Sequence, residues 1–152
     1  QDINAEEVIA QYGKGKKVAL VGHFPFVPRL KNRVGTLWVL ELHPRPGDLP
    51  ADAADEVIPQ ADVVAITSMT LLNRTFEHLI TLPKPTAITL LLGPTTPLSP
   101  VLFNYGVNIL SGSQVEDIPR VVRGVIQGAN FHQLHSLGVR LVSIQNGGIE
   151  IK

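Results

Sequence analysis

The chain contains no cysteine. That excludes disulfides, thiolate metal sites and cysteine nucleophiles, and it agrees with a cytoplasmic protein. Charged residues make up only 17% of the 152 residues, and the formal net charge is zero. Nucleic-acid binding rests on clustered Lys and Arg; the short run Lys14-Gly-Lys16-Lys17 reads instead as the solvated approach to a strand. No apolar run reaches the roughly 20 residues needed to span a bilayer, and no signal-peptide pattern is present. No Ser stands in a Gly-x-Ser-x-Gly elbow. The chain begins at Gln1 rather than Met, so a processed or truncated start is expected. Its length fits one domain, residues 1–152, with enough core to fold alone.

What is present is a series of short apolar runs. Strands are expected over 17–21, 36–42, 62–67, 86–92, 107–110 and 139–145. Between them, Asn4 with Glu7 forms the start of a helix that Gly13 ends. A short helix begins near Pro28, and 51–58 forms another. A further helix starts between Ser68 and Asn73 and buries Leu72, Phe76, Leu79 and Ile80. Asp117 caps a helix whose buried stripe is Ile118, Val121, Val122, Val125 and Ile126. Residues 130–137 form a last short helix, and Asn146-Gly147-Gly148 would fold 149–152 back as a hairpin. Alternating strands and helices with near-continuous apolar strands predict an α/β fold: a doubly wound, mostly parallel sheet with helices on both faces.

In such sheets ligands bind outside the carboxyl ends of the strands, and the chemically distinctive residues fall there. The first strand runs into Gly22-His23-Phe24-Pro25, the second into Glu41-Leu-His43-Pro44-Arg-Pro-Gly47-Asp48, the third into Thr67-Ser68-Met-Thr70 and the fourth into Gly93-Pro94. The first turn has one glycine and two prolines, which does not match the glycine-rich fingerprint of a dinucleotide site; proline also removes donors that a phosphate cradle needs. Glu41 stands where an acid can accept ribose hydroxyls or pair with Arg45. His23, Glu41, His43 and Asp48 are candidates to converge on a divalent transition metal, the alternative being local hydrogen bonds within a proline-rich loop. His132 and His135 share a helix face. Ser68, Thr70, Asn73 and Thr75 suit either an anion at a helix start or simple capping. Eight of the twelve prolines lie in these loops, so the site is expected to be stiff and preorganised.

Several separated segments carry a family resemblance. They are Val21-Gly-His-Phe-Pro25, Glu41-Leu-His-Pro-Arg-Pro-Gly-Asp-Leu-Pro50, Ala61-Asp-Val-Val64 with Thr67-Ser-Met-Thr-Leu-Leu-Asn73, and Leu92-Gly-Pro94 with Pro97-Leu-Ser-Pro100 and Tyr105-Gly-Val107. From about residue 5 to 138 the chain resembles the Rossmann-like domain of the putative heavy-metal chelation family. The resemblance implies a Rossmann-like fold. It also implies ligand-binding positions at Gly22, His23, Phe24, Pro25, Glu41, Pro44, Gly47, Asp48, Thr67, Thr70, Asn73, Gly93, Pro94, Ser99 and Pro100. In longer relatives a smaller domain precedes this one and the site lies in the cleft between them, so a missing N-terminal domain, a partner subunit or a homo-oligomer is an expected partner.

Three functions follow as expectations. The first is a module that binds a small molecule or metal complex, with His23, Glu41 and His43 as metal ligands. The second is a binding protein or enzyme for a nucleotide-like molecule, using Glu41. The third is a non-catalytic half of a larger assembly. No nucleophile–base pair is visible, and whether the chain is an enzyme stays open; His23 is the acid–base candidate if it is one.

Overall fold

The structure is a computed structural model, and it describes residues 4–147. Seven strands form one sheet in the order β3-β2-β1-β4-β5-β6-β7. They are β1 (Lys17–Val21), β2 (Thr36–Glu41), β3 (Leu49–Pro50), β4 (Val63–Thr67), β5 (Ile88–Leu92), β6 (Ile109–Val115) and β7 (Val139–Gln145). The first six are parallel, and β7 pairs antiparallel with β6. The mostly parallel α/β architecture is therefore as the apolar runs predict.

Strand side chains alternate between faces, and the two cores divide accordingly. Ala19, Leu40, Val64, Ile66, Leu91 and Leu110 lie in one cluster with Ala54, Val57, Phe76 and Leu79. These last four belong to α3 (Ala54–Val57) and α5 (Phe76–Leu79). Val18, Leu20, Val39, Val63, Ala65, Leu90, Leu92 and Ile109 lie in the other with Val8, Ile9, Ala10 and Leu30. These come from α1 (Ala5–Gly13) and α2 (Val27–Leu30). Asn4 caps α1 by accepting the Glu7 N–H at 3.0 Å. Across the surface, Glu6 accepts two bonds from Arg29, at 3.1 and 2.6 Å, and Glu7 two from Arg33, at 2.8 and 2.7 Å. These pairs tie α2, and the loop after it, to α1.

Four expectations need correction. The helix expected beyond Ser68 is two pieces, α4 (Met69–Leu72) and α5. Between them Arg74 takes φ +64°, and Asn73 Oδ1 accepts from both the N–H and the hydroxyl of Thr75, at 3.2 and 2.7 Å. This local Asx turn wins over continued helix, and it leaves Leu72 exposed rather than buried. Second, α6 (Ile118–Ile126) buries only Val121 and Gly124; Ile118, Val122, Val125 and Ile126 face solvent. Gly124 packs so closely against α7 (Phe131–Ser136) and its C-terminal neighbour that an added Cβ would stand 2.4 Å from Leu137 Cδ1. Third, β6 runs on to Val115 because β7 pairs with its whole length, Ile109↔Gln145 to Val115↔Val139. Fourth, β3 is a strand that the sequence does not announce. The hairpin expected at 149–152 lies outside the described residues. Among the described residues, no helix is long and apolar enough to cross a membrane.

Candidate functional site

Chain order reverses between β1 and β4. From β1 the chain moves outward through β2 and β3, then returns to place β4 on the other side of β1. At such a switch point the loops leaving adjacent strands part and open a crevice at the carboxyl edge. The register sets Val21 of β1 beside Leu40 of β2 and Ile66 of β4, and a cavity of about 540 Å³ opens above them. That is the size of a small organic ligand. Gly22 forms its floor with φ +101°; a Cβ there would stand 3.2 Å from Thr67 and 3.3 Å from Phe24. The chain can turn out of β1 beside Thr67 because this residue has no side chain.

His23 lines the cavity and is held from two directions. Its backbone N–H donates to Glu41 Oε2 at 2.8 Å. Its ring Nδ1 lies 2.8 Å from Asp48 Oδ2, with the two side chains only 16% and 4% exposed. The same Asp48 oxygen accepts the Arg45 N–H at 3.0 Å, while the Asp48 N–H donates to the Arg45 carbonyl at 2.9 Å. Asp48 thus closes its own turn, which Gly47 makes with φ +94°, and fastens that turn to the β1 loop. An ionised carboxylate only accepts hydrogen bonds, so a bond from the ring to Asp48 Oδ2 requires the proton on Nδ1.

Glu41 is positioned by the end of β2. Its second oxygen accepts the Leu42 N–H at 2.8 Å, so both oxygens are engaged by backbone donors. The carboxylate occupies the N–H that an anionic ligand of the β1 loop would use, and it pairs with these groups rather than with Arg45. His43 stands exposed on the outer loop. The expected ligand set of His23, Glu41 and His43 therefore does not assemble. Among the described residues, no group of three or more His, Asp or Glu is placed to hold a metal ion. The residues do not fit a resident metal bound by protein alone.

Thr67, Thr70 and Asn73 line the same cavity, yet their polar groups are engaged locally. The buried Thr70 hydroxyl donates to the Thr67 carbonyl at 2.7 Å, and Asn73 serves its own turn. Local turn bonds engage these groups, and neither Ser68 nor Thr75 makes the side-chain cap bond expected at a helix start. Ser68 is buried beside Gly93 and reaches Thr95 at 3.4 Å. Pro25, Gly93 and Pro94 line a second cavity of about 370 Å³, for which Phe24 forms a shared wall. Phe24 stacks on Phe26 at 5.1 Å. Pro44, Gly47, Ser99 and Pro100 line neither cavity.

Asp52, Asp55 and His78 line the larger cavity, although the sequence reading gives them no role. His78 Nε2 lies 3.1 Å from Asp55 Oδ1. The signal that would have found the two acids is β3. A strand ending at Pro50 delivers the next turn, Ala51–Ala53, to the carboxyl edge. The charged groups lining the cavity are thus three carboxylates, Glu41, Asp52 and Asp55, with two imidazoles; no Lys or Arg is among the described residues that line it.

A sequence model of the DUF364 family, described as "Putative heavy-metal chelation", matches residues 4–142. An uncharacterised protein of Methanocaldococcus jannaschii is 28% identical over 125 residues, which is 78% of this chain and 48% of that protein. A solved structure from Desulfitobacterium hafniense, a DUF364 protein of unknown function, superposes with TM-score 0.83 at 36% identity, covering 94% of this chain and 57% of that one. A second, from Pyrococcus horikoshii and also of unknown function, superposes with TM-score 0.80 at 20% identity over 95% and 60% of the two chains, a likeness of fold. The chain spans about half the length of the curated relative it matches.

Proposed function

This chain belongs to the DUF364 family, and with that as premise we propose that it binds a cationic metal complex, a metal ion already held by a small organic chelator, in the cavity above β1 and β4. The observation that carries the reading is the cavity's charge: three carboxylates, two imidazoles and no described cation around about 540 Å³. Such a wall favours a positively charged guest and repels phosphate or carboxylate. Its volume exceeds what a bare ion fills, and the protein supplies no three-donor set. The ion therefore brings most of its own ligands, and His23 Nε2 offers a single donor suited to borderline transition metals. The nucleotide-like reading loses support because the Glu41 oxygens already serve two backbone N–H groups.

Titration calorimetry with zinc–diethylenetriamine, a dipositive complex with an open coordination position, tests this on tag-free protein. The expected result is one site, weakened at least tenfold by His23→Ala, with no heat from adenosine monophosphate. Equal binding by His23→Ala, or binding of the nucleotide alone, overturns it.

A second reading, that another domain or subunit closes this cavity, is supported by its mouth. Leu42 and Met69 line it and are 63% and 54% exposed, and large exposed apolar groups at a cleft mark interaction surfaces. Strictly monomeric sedimentation, unchanged by Leu42→Ser with Met69→Ser, argues against closure by a second copy.

A further inference from the structure

Asp48 does not line the cavity, yet it is the more deeply buried partner of the imidazole that does. We infer that Asp48 is a positioning residue: it fixes His23 in the tautomer with the proton on Nδ1, so that Nε2 meets the cavity as a lone-pair donor. This rests on the metal-complex reading above and adds to it the group that makes His23 a ligand. It also gives Asp48 a different task from the direct ligand contact expected of it.

Three observations converge. The Nδ1–Oδ2 distance is 2.8 Å, that of a charge-assisted hydrogen bond. The carboxylate is itself fixed, since Oδ2 also accepts the Arg45 N–H and the turn is closed by the reciprocal bond from Asp48 N–H to Arg45 O. The backbone that carries the imidazole is fixed as well, because the His23 N–H is pinned to Glu41. Backbone and ring are therefore held by acids from opposite ends of the β2–β3 connection. An imidazole whose second nitrogen is bonded to a carboxylate is fixed in tautomer and orientation and is a more basic metal ligand. Among the described residues no hydrogen bond to Nε2 competes with a ligand.

The test is long-range ¹⁵N–¹H NMR of the His23 imidazole in tag-free protein at mildly alkaline pH, for wild type, Asp48→Leu and Asp48→Ala. His78 serves as the internal control. In the wild type Nδ1 is expected to carry the proton and Nε2 to show the shift of an unprotonated nitrogen. Both variants should lose that preference while the His78 signals stay in place. Zinc–diethylenetriamine affinity should fall about tenfold to a hundredfold with it. Asp48→Leu keeps the approximate shape and removes the acceptor, so it reports even if Asp48→Ala fails to fold. A wild-type His23 protonated on Nε2, or variants that keep the wild-type tautomer, overturns the inference. So does a changed tautomer with unchanged affinity. If the tautomer behaves as expected but the wild type binds no zinc complex, the proposed ligand falls and the role of Asp48 in setting the tautomer stands.

Discussion

Glu41 Oε2 accepts the backbone N–H of His23 at 2.8 Å across 18 residues of chain. Through this bond the end of β2 is fastened to the turn that leaves β1, and the cavity's imidazole is fixed at its backbone. Because Oε1 accepts the Leu42 N–H as well, one carboxylate organises both strand ends. Hydrogen bonds to a charged group contribute about 1.5–3 kcal/mol each. One of the two bonds is part-buried and the other is exposed to solvent, so Glu41→Ala is expected to lower unfolding stability by about 2 kcal/mol and to weaken zinc–diethylenetriamine binding. Urea denaturation and calorimetry measure the two effects. Unchanged stability would mean that the carboxylate does not hold the loops.

Gly22 is the second fixed point. Its φ of +101° strains any other residue, and the 3.2 Å approach of Thr67 would crowd an added Cβ. A non-glycine residue held in this region costs about 1–3 kcal/mol. Gly22→Ala should lose about that much in chemical denaturation, whereas Gly47→Ala, strained but with nothing within 4 Å of its new Cβ, should lose less.

Acid stability has an identifiable contributor at the opposite edge of the sheet. Asp62 accepts from Lys84 Nζ at 2.7 Å and from the Lys17 N–H at 3.0 Å. The hydrogen bond from Lys84, then that from the Lys17 backbone, hold its carboxyl below the ordinary value of 3.8. A folded-state pKa below the unfolded one means that the unfolded chain binds more protons between the two. The stabilisation is full above 3.8 and is lost as pH falls through the lower, folded value. Melting temperatures from neutral pH down to pH about 3 should fall less steeply for Asp62→Asn than for wild type. Parallel curves would contradict this contribution.

The outer face of α6 is expected to tolerate charge in the isolated chain. Ile126 is 78% exposed and Val122 49%. Substitution of each by Lys should change stability by no more than about 0.5 kcal/mol. Val121→Lys, at a buried position on the same helix, should be severely destabilising. A large loss at Ile126 would show that this face is covered in solution.

The strand edges were legible in the sequence because five-residue apolar runs bounded by Gly and Pro have few other uses, and because side chains alternate along them. Placement of His23, Glu41 and Thr67 at the carboxyl ends follows from that alone. What those side chains do once there did not follow. A carboxylate at a strand end looks the same in sequence whether it faces a ligand or turns back on His23 and Leu42. The pairing of His23 with Asp48 joins residues 25 apart through two loops that have no periodicity. The helix break at Asn73-Arg74-Thr75 was hidden because Arg74 is a good helix former and takes φ +64° only under the neighbouring Asx turn. On α6 the 3.6-residue period located an apolar face correctly as a face, but periodicity carries no information about what packs against it.

Native mass spectrometry of tag-free protein, purified without chelators, tests the central claim most directly. The account predicts a retained adduct whose mass and isotope pattern are those of a metal with an organic chelator, present in wild type and lost in His23→Ala. A metal-free anionic adduct that His23→Ala retains would contradict it.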